Sequence, residues 1–140
     1  GADGGWVPLL KGRGVAVADL IPVNCGFVAG WSDEMGRHAG TPVKTITLHL
    51  GGRVAAGDLM ITANGIEGGP VYALSAAIQD QIRTDGTARL TIDLRPGLGH
   101  EALAQKLGRR PGGQSVSAWL TRALNLTPAA RALLYEGHDY

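Results

Sequence analysis

The chain is poor in cysteine, methionine and net charge. A single thiol, Cys25, excludes an intrachain disulfide and suits a reducing compartment such as the cytoplasm. The net charge of +1 provides no basic field for nucleic acid or for an anionic membrane surface. The apolar runs fall far short of the ~20 residues of a membrane-spanning helix, and no signal-peptide pattern opens the chain. The sequence therefore predicts a cytoplasmic protein without nucleic-acid or membrane partners.

The methionines, Met35 and Met60, are both internal, so no initiator residue is present. A chain of 140 residues with 44% hydrophobic content can bury a real core. The four histidines are far apart and show no metal-ligand spacing, so we predict no metal site and identify no catalytic residue. We expect an internal segment of a larger protein, folded as one domain or two small ones.

Residues 1–96 carry short amphipathic strands joined by glycines. Apolar and polar residues alternate over Lys44–Leu50, Gly51-Gly52 is a hairpin signal, and Thr87–Arg95 alternates again. Val15–Ala18 and Val23–Val28 also read as strands. This pattern predicts an α+β fold with a small antiparallel β-barrel and one packed helix. The expected barrel core comprises Leu48, Leu50, Leu59, Ile61, Leu74, Ile78, Leu90, Ile92 and Leu94.

Residues 97–140 have helical periodicity throughout and predict an all-α helical subdomain. A first helix spans Leu98–Leu107, Ser115 caps a second, and Thr127 caps a third with Pro128 at its first position. The residues after this helix lack periodicity and are expected to fray. The helices are expected to form a cluster separate from the barrel core, made of Trp119, Leu120, Leu124 and Leu133.

The most informative stretch runs from Leu59 to Gln81. An apolar strand leads into a glycine-rich turn at Gly65, Gly68 and Gly69, and Pro70 opens a helix that ends at Asp85-Gly86. A glycine loop before a helix N-terminus can hold an anion, but the same glycines can simply serve a tight turn, in which Gly65 and Gly68 need backbone angles that a side chain resists. Glu67 opposes a phosphate site, and the Gly-Lys-Ser/Thr ending of a P-loop is absent. The residues alone leave both interpretations open.

This stretch resembles the strand–loop–helix signature of bacterial FAD-dependent flavoproteins, a family of NAD(P)/FAD-dependent oxidoreductases that includes aminoacetone oxidases. Ala63 stands where the family has histidine, and Glu67 where it has serine. The positions that agree with the family pattern are Gly57, Asp58, Thr62, Gly65, Ile66, Gly68 and Ser75. Further matching pieces, in the same order as in the family, are Gly1–Trp6, Pro22–Phe27 and Ile92–Pro96.

The resemblance implies that this chain is the inserted middle domain of such an oxidoreductase. The parent would bind FAD mainly through a Rossmann-type domain outside this chain, with NAD(P)H as a candidate electron donor. The insert would cover the flavin and shape the pocket for a small-molecule substrate, without being catalytic alone. The residues expected to approach the cofactor are Asp3, Gly4, Gly5, Asn64, Gly65, Ile66, Glu67, Gly68 and Gly69.

The tryptophans and the single thiol are expected to lie inside the fold. Trp6, Trp31 and Trp119 lie in apolar surroundings and are expected to anchor the core, and Cys25 is expected to be a buried structural thiol. The alternative function is a free-standing nucleic-acid- or protein-binding module. A nucleic-acid-binding function is opposed by the scarcity of clustered basic residues, which occur side by side only at Arg109 and Arg110.

Overall fold

A computed structural model of the chain describes residues 3–137, which form an α+β fold. The last three residues, and Gly1 and Ala2 of the first matching motif, lie outside this range. The elements in chain order are α1 (Val7–Lys11), β1 (Phe27–Val28), α2 (Asp33–Gly36), β2 (Pro42–Leu50), β3 (Arg53–Thr62), β4 (Gly65–Glu67), α3 (Gly69–Asp85), β5 (Thr91–Asp93), α4 (His100–Leu107), α5 (Val116–Leu124) and α6 (Pro128–Glu136).

The five strands of the described residues form one antiparallel sheet in the order β1-β4-β3-β2-β5. The sheet does not close, because β1 and β5 do not pair and remain its two edges. The predicted α+β class is confirmed, and the sheet is barrel-like with an open side. That opening is the feature of the fold that matters most for a binding site.

The predicted hairpin at Gly51-Gly52 is confirmed. Both glycines have positive φ (50° and 83°), and Leu50 pairs with Arg53 across the turn. Towards the other end of β2 the register shifts between Val43 and Ile46, where Thr45 has φ 55°. The Thr45 N–H donates to the Asp58 carboxylate at 2.9 Å, which satisfies a backbone group that the bulge removes from the ladder.

Three predicted strands are wrong in extent. Val15–Ala18 has no strand at all, Val23–Val28 shortens to Phe27–Val28, and Thr87–Arg95 shortens to Thr91–Asp93. Pro22 lacks an N–H and Asn24 adopts a left-handed φ of 56°, so the chain turns before β1 rather than extending into it. Alternation of apolar and polar residues indicates which side chains would share a face of a strand, but it does not show that a neighbouring strand is available to pair with it.

Helix α3 begins and ends as predicted. Pro70 lies in its first turn, and Gly86, with φ 78°, ends it in the left-handed conformation while its N–H donates to the Ile82 carbonyl. One face of the helix is buried, through Val71, Leu74 and Ile78, against the strands of the sheet. Helix α3 thereby covers one side of the main core.

The core is shared between the sheet and the helical part, so the predicted separate helical cluster is wrong. Leu133 is buried in the same cluster as Leu48 and Ile61, and Leu124 packs against it. The reason is that α6 lies against α2 and β2, where Leu126, Ala129 and Ala130 are also buried. The boundary between residues 96 and 97 stays a prediction about chain organisation.

Edge position explains other differences in burial. Leu90, Ile92 and Leu94, expected in the core, are only half-buried, because β5 is an edge strand. Trp31 packs against the core as expected, and Trp119 is half-buried. Trp6 is 46% exposed, because α1 buries none of its residues.

Arg95 connects the sheet to the helices. Its Nε donates to the Leu124 carbonyl at 2.6 Å, and its Nη2 donates to the carbonyl of Asn125. Asn125, with φ 49°, is the left-handed C-cap of α5, so a cation lies where the helix dipole is negative and carbonyls lack partners. The Arg95 N–H donates to the Asp93 carboxylate at 2.8 Å, which fixes the chain just after β5.

The shared core predicts a large effect at its centre. Replacing the fully buried Ile61 by alanine should lower the free energy of unfolding by about 2–5 kcal/mol, through lost transfer energy and a residual cavity. Ile92→Ala should cost less, since Ile92 is half-buried. Val54→Ala, at a 58% exposed position of β3, is the control and should change little. Urea unfolding measures all three; equal losses at Ile61 and Val54 would contradict this core.

The Arg95 contacts predict a second stability effect. Arg95→Met keeps the aliphatic stem but removes the charged hydrogen bonds. The free energy of unfolding should fall by about 1.5–3 kcal/mol in total. The lower end of this range is expected, because the side chain is half-exposed. Arg83→Met is the matched control, because Arg83 only pairs with Asp80 on the exposed surface of α3. Thermal unfolding followed by circular dichroism compares them, and equal midpoints would show that Arg95 does not connect the two parts.

Candidate functional site at the β4–α3 connection

The signature stretch folds as a hairpin followed by a helix. Strand β3 ends at Thr62, Ala63 and Asn64 form the turn, and β4 returns with Ile61 opposite Ile66 and Met60 opposite Glu67. The expectation of a glycine-rich turn at Gly65 is therefore wrong, since Gly65 begins a strand. The expected helix follows directly at Gly69.

Gly65 is required by space, not by an unusual backbone angle. It is buried, and a Cβ built on it would lie 1.9 Å from the Phe27 carbonyl oxygen. Its φ is not positive, so the expectation that Gly65 needs angles which side chains resist is wrong. The Gly65 carbonyl also accepts a hydrogen bond from the Trp31 indole N–H at 3.2 Å. The missing side chain thus lets β1 approach β4 closely.

Gly68 is required by both angle and space. Its φ is 120°, a conformation that L side chains rarely adopt, and a Cβ would lie 2.5 Å from the Asp58 carbonyl oxygen. The Gly68 carbonyl accepts from the Tyr72 N–H at 2.9 Å, which begins the hydrogen bonding of α3. The expectation of special backbone angles is confirmed at this position.

The start of α3 is poorly suited to hold a pyrophosphate. Pro70 has no N–H, and Val71 is fully buried, so Gly69 is the exposed residue among the first three of the helix. Glu67 lies half-buried in the adjoining strand and brings a carboxylate to the same end. The geometry favours the tight-turn interpretation of the glycines. Within residues 64–69, Asn64 and Gly69 are the exposed residues.

The predicted site residues near the chain start form a separate local structure. The Gly5 N–H donates to the Asp3 carboxylate at 3.0 Å, and Gly4 has φ 72°. Asp3 does not cap α1, because α1 begins after Trp6 and has no side-chain cap. Within residues 3–137, no hydrogen bond joins this turn to residues 64–69.

A groove on the open side of the sheet was not predicted from the sequence. It has a volume of about 950 Å³ and lies between β1 and β5, with walls from Phe27, Trp31, Ile66 and Leu134 among others. Ile66 belongs to the signature stretch, so the groove adjoins the candidate site. No sequence signal could have found it, because its lining comes from segments far apart in the chain.

Cys25 is half-buried, and its Sγ lies 3.8 Å from the Gln79 amide nitrogen, so the expected full burial is not observed. In the part of the chain that the structure describes, no three histidine, cysteine, aspartate or glutamate side chains gather at one point. No helix between residues 3 and 137 is long and apolar enough to cross a membrane.

An open antiparallel sheet covered by the long helix α3, with the three shorter helices α4, α5 and α6 after it in the chain, defines a barrel-and-helix domain. The model of the HI0933-like protein barrel and H2TH domain family matches residues 21–139, and the chain belongs to this family. The domain that defines this family is a domain of HI0933- and aminoacetone oxidase-like flavoproteins, as the sequence resemblance implies. A comparison with curated proteins finds no match.

The two kinds of glycine predict different responses to the same small change. Gly65→Ala should destabilise the chain strongly, because the new methyl group would collide with backbone that cannot move cheaply. Gly69→Ala is the matched control: its Cβ would meet nothing within 4 Å, and alanine favours a helix. Chemical unfolding of both variants is the measurement. A Gly65→Ala variant as stable as Gly69→Ala would refute the close approach of β1 and β4.

Proposed function

We propose that this chain is the inserted domain of an FAD-dependent oxidoreductase, where it covers the flavin and helps to shape the substrate pocket. The observation that carries the proposal is the match of residues 21–139 to a domain of a flavoprotein family. The chain alone is not catalytic in this proposal. Its partner is the FAD-binding Rossmann-type domain of the same parent protein, with NAD(P)H as the candidate electron donor.

The residues at the β4–α3 connection suit contact with a flavin ring better than contact with its pyrophosphate. Asn64 and Gly69 are exposed and offer neutral polar groups, whereas the Glu67 carboxylate would repel a phosphate. A bound flavin would supply the redox chemistry. The residues of this chain would exclude water from the reacting face and position the substrate. Asp3, Gly4 and Gly5 are proposed to approach the cofactor from the chain start.

Ala63 argues against direct catalysis from this connection, since a methyl side chain replaces the histidine of the family pattern. Ala63 is exposed at the β3–β4 turn. It cannot donate or accept a proton. Glu67 is therefore the titratable residue within 63–69 that could act on a substrate, and we propose that it tunes substrate preference. Cytoplasmic location and bacterial origin are part of the same proposal.

The alternative, a nucleic-acid-binding module, gains no specific support. The chain's net charge is +1, and few aromatic side chains are available to stack on bases, since aromatics make up 5% of the sequence. Binding of this kind depends on a concentrated positive surface. The flavoprotein proposal needs no such surface.

The proposal predicts how the chain behaves towards FAD. Purified chain should be colourless, and titration with FAD should give no stoichiometric binding, because most of the cofactor's contacts lie in the partner domain. Flavin absorption and fluorescence after gel filtration provide the measurement, with far-UV circular dichroism to confirm folding. A one-to-one flavin complex of the folded chain would overturn the idea of an insert that only covers the cofactor.

In the full-length parent, Gly68→Val should reduce flavin content or turnover, because a side chain at φ 120° misplaces the connection. Glu67→Ser, which introduces the commoner family residue, should leave flavin content unchanged and alter kcat/KM for the substrate. Val54→Ala, at an exposed position of β3 outside this connection, is the control and should behave as wild type. Flavin content and steady-state reduction kinetics measure these effects. If Gly68→Val and Glu67→Ser both match wild type, the connection has only a structural role.

A further inference from the structure

Residues 6–23, here called the leading segment, carry a large share of the exposed apolar surface. Six of the eleven large apolar side chains that are exposed within residues 3–137 lie in this short segment. Their exposed fractions run from 46% to 73%, and they are Trp6, Leu9, Val15, Leu20, Ile21 and Val23. Scattered apolar side chains are normal on a protein surface, but this concentration in one segment indicates a surface that another protein domain covers.

The leading segment has ordered structure but receives little support from the rest of the fold. None of residues 3–28 is buried. Helix α1 has five residues and no side-chain cap, and isolated helices shorter than about 12–15 residues are only marginally stable in water. Its hydrogen bonds are local, since the Leu10 N–H donates to the Trp6 carbonyl and the Val15 N–H donates to the Leu10 carbonyl. A helix this short needs packing from a further surface to stay formed.

The charges of this region suit an apolar protein surface as the partner. Residues 3–23 carry two basic and two acidic side chains, so their net charge is zero; these are Lys11, Arg13, Asp3 and Asp19. Anionic lipid and nucleic acid both require a concentration of positive charge, which this region lacks. The end of the segment is held to the domain, because the Gln79 amide of α3 donates to the Pro22 carbonyl. The apolar surface is therefore carried next to the barrel, not on a free tail.

We infer that the leading segment docks on the FAD-binding domain of the same parent protein, which covers Trp6, Leu9 and Leu20. The inference rests on the proposed function, which supplies this partner. The family match begins at residue 21, so most of the leading segment precedes the barrel-and-helix domain. Leu20 also lies against the turn proposed to approach the cofactor, since its Cδ1 would be 3.2 Å from a Cβ on Gly4. A domain of the same chain has a high effective concentration, which favours it over a second copy.

The first test compares amide hydrogen exchange in the 140-residue chain and in the full-length parent. The Leu10 and Gly12 amides of α1 and its C-cap should exchange at least about tenfold more slowly in the parent, because docking prevents the helix from opening. Amides of the β2–β3 ladder are the control and should be protected in both proteins. Equal, fast exchange of the α1 amides in both would refute the docking. Protection that appears only as the parent self-associates at higher concentration would assign the surface to a second copy and overturn the inference.

The second test places a charge in the proposed interface. Leu9→Asp and Leu20→Asp should leave the unfolding midpoint of the 140-residue chain unchanged, since both side chains are exposed there. In the parent, each should return the Leu10 amide to fast exchange, because a carboxylate would be buried against an apolar surface. Val54→Asp, 58% exposed on β3, is the control and should keep this amide slow. A parent that binds flavin and keeps slow exchange in both variants would refute the docking alone, whereas a parent without flavin would refute the proposed function.

Discussion

The close approach of β1 to β4 at Gly65 is the constraint on which the surroundings of the candidate site depend. With only hydrogen on its Cα, Gly65 leaves room for the Phe27 carbonyl, which a Cβ would meet at 1.9 Å. Gly26, directly before β1, also leaves room for the neighbouring backbone, since a Cβ on it would lie 2.9 Å from the Ile66 carbonyl oxygen. The two-residue strand β1 can therefore pair despite its short length. Its position then places Trp31 over the Gly65 carbonyl.

The consequences of that approach extend to the helical part. Directly after Trp31, the Ser32 hydroxyl accepts from the Met35 N–H at 3.2 Å and caps α2. The Ser32 N–H donates to the Glu136 carboxylate of α6 at 3.2 Å, and its hydroxyl donates to the same group. Arg95 makes the corresponding connection from the other edge of the sheet, to the end of α5. Both edge strands are thus fastened to helices, which explains why the barrel and the helices share one core.

The sequence was sufficient wherever local chemistry decides the structure. Gly51-Gly52, Pro70, Gly86, Ser115 and Thr127 each determine a turn or a helix end through their own backbone or hydroxyl group, and each was placed correctly. It was insufficient wherever pairing between distant segments decides. Val15–Ala18 has strand-like residues but no partner strand, and Leu133 has helical periodicity that says nothing about which core it joins. The groove and the Arg95 contacts arise from the same long-range geometry and gave no local signal.

The glycines of the signature show that residues of a family motif can be required by the fold and need not belong to a binding site. Gly65 and Gly68 are both explained by the fold, Gly65 by lack of space and Gly68 by lack of space and its backbone angle, so a flavin is not needed to account for either. A functional argument must therefore come from positions that the fold leaves free to vary. Asn64 and Gly69 are exposed, and Glu67 is half-buried in β4. Ala63 and Glu67 both depart from the commoner family pattern, and of the two only Glu67 can donate or accept a proton, which makes Glu67 the residue to test for a difference in chemistry.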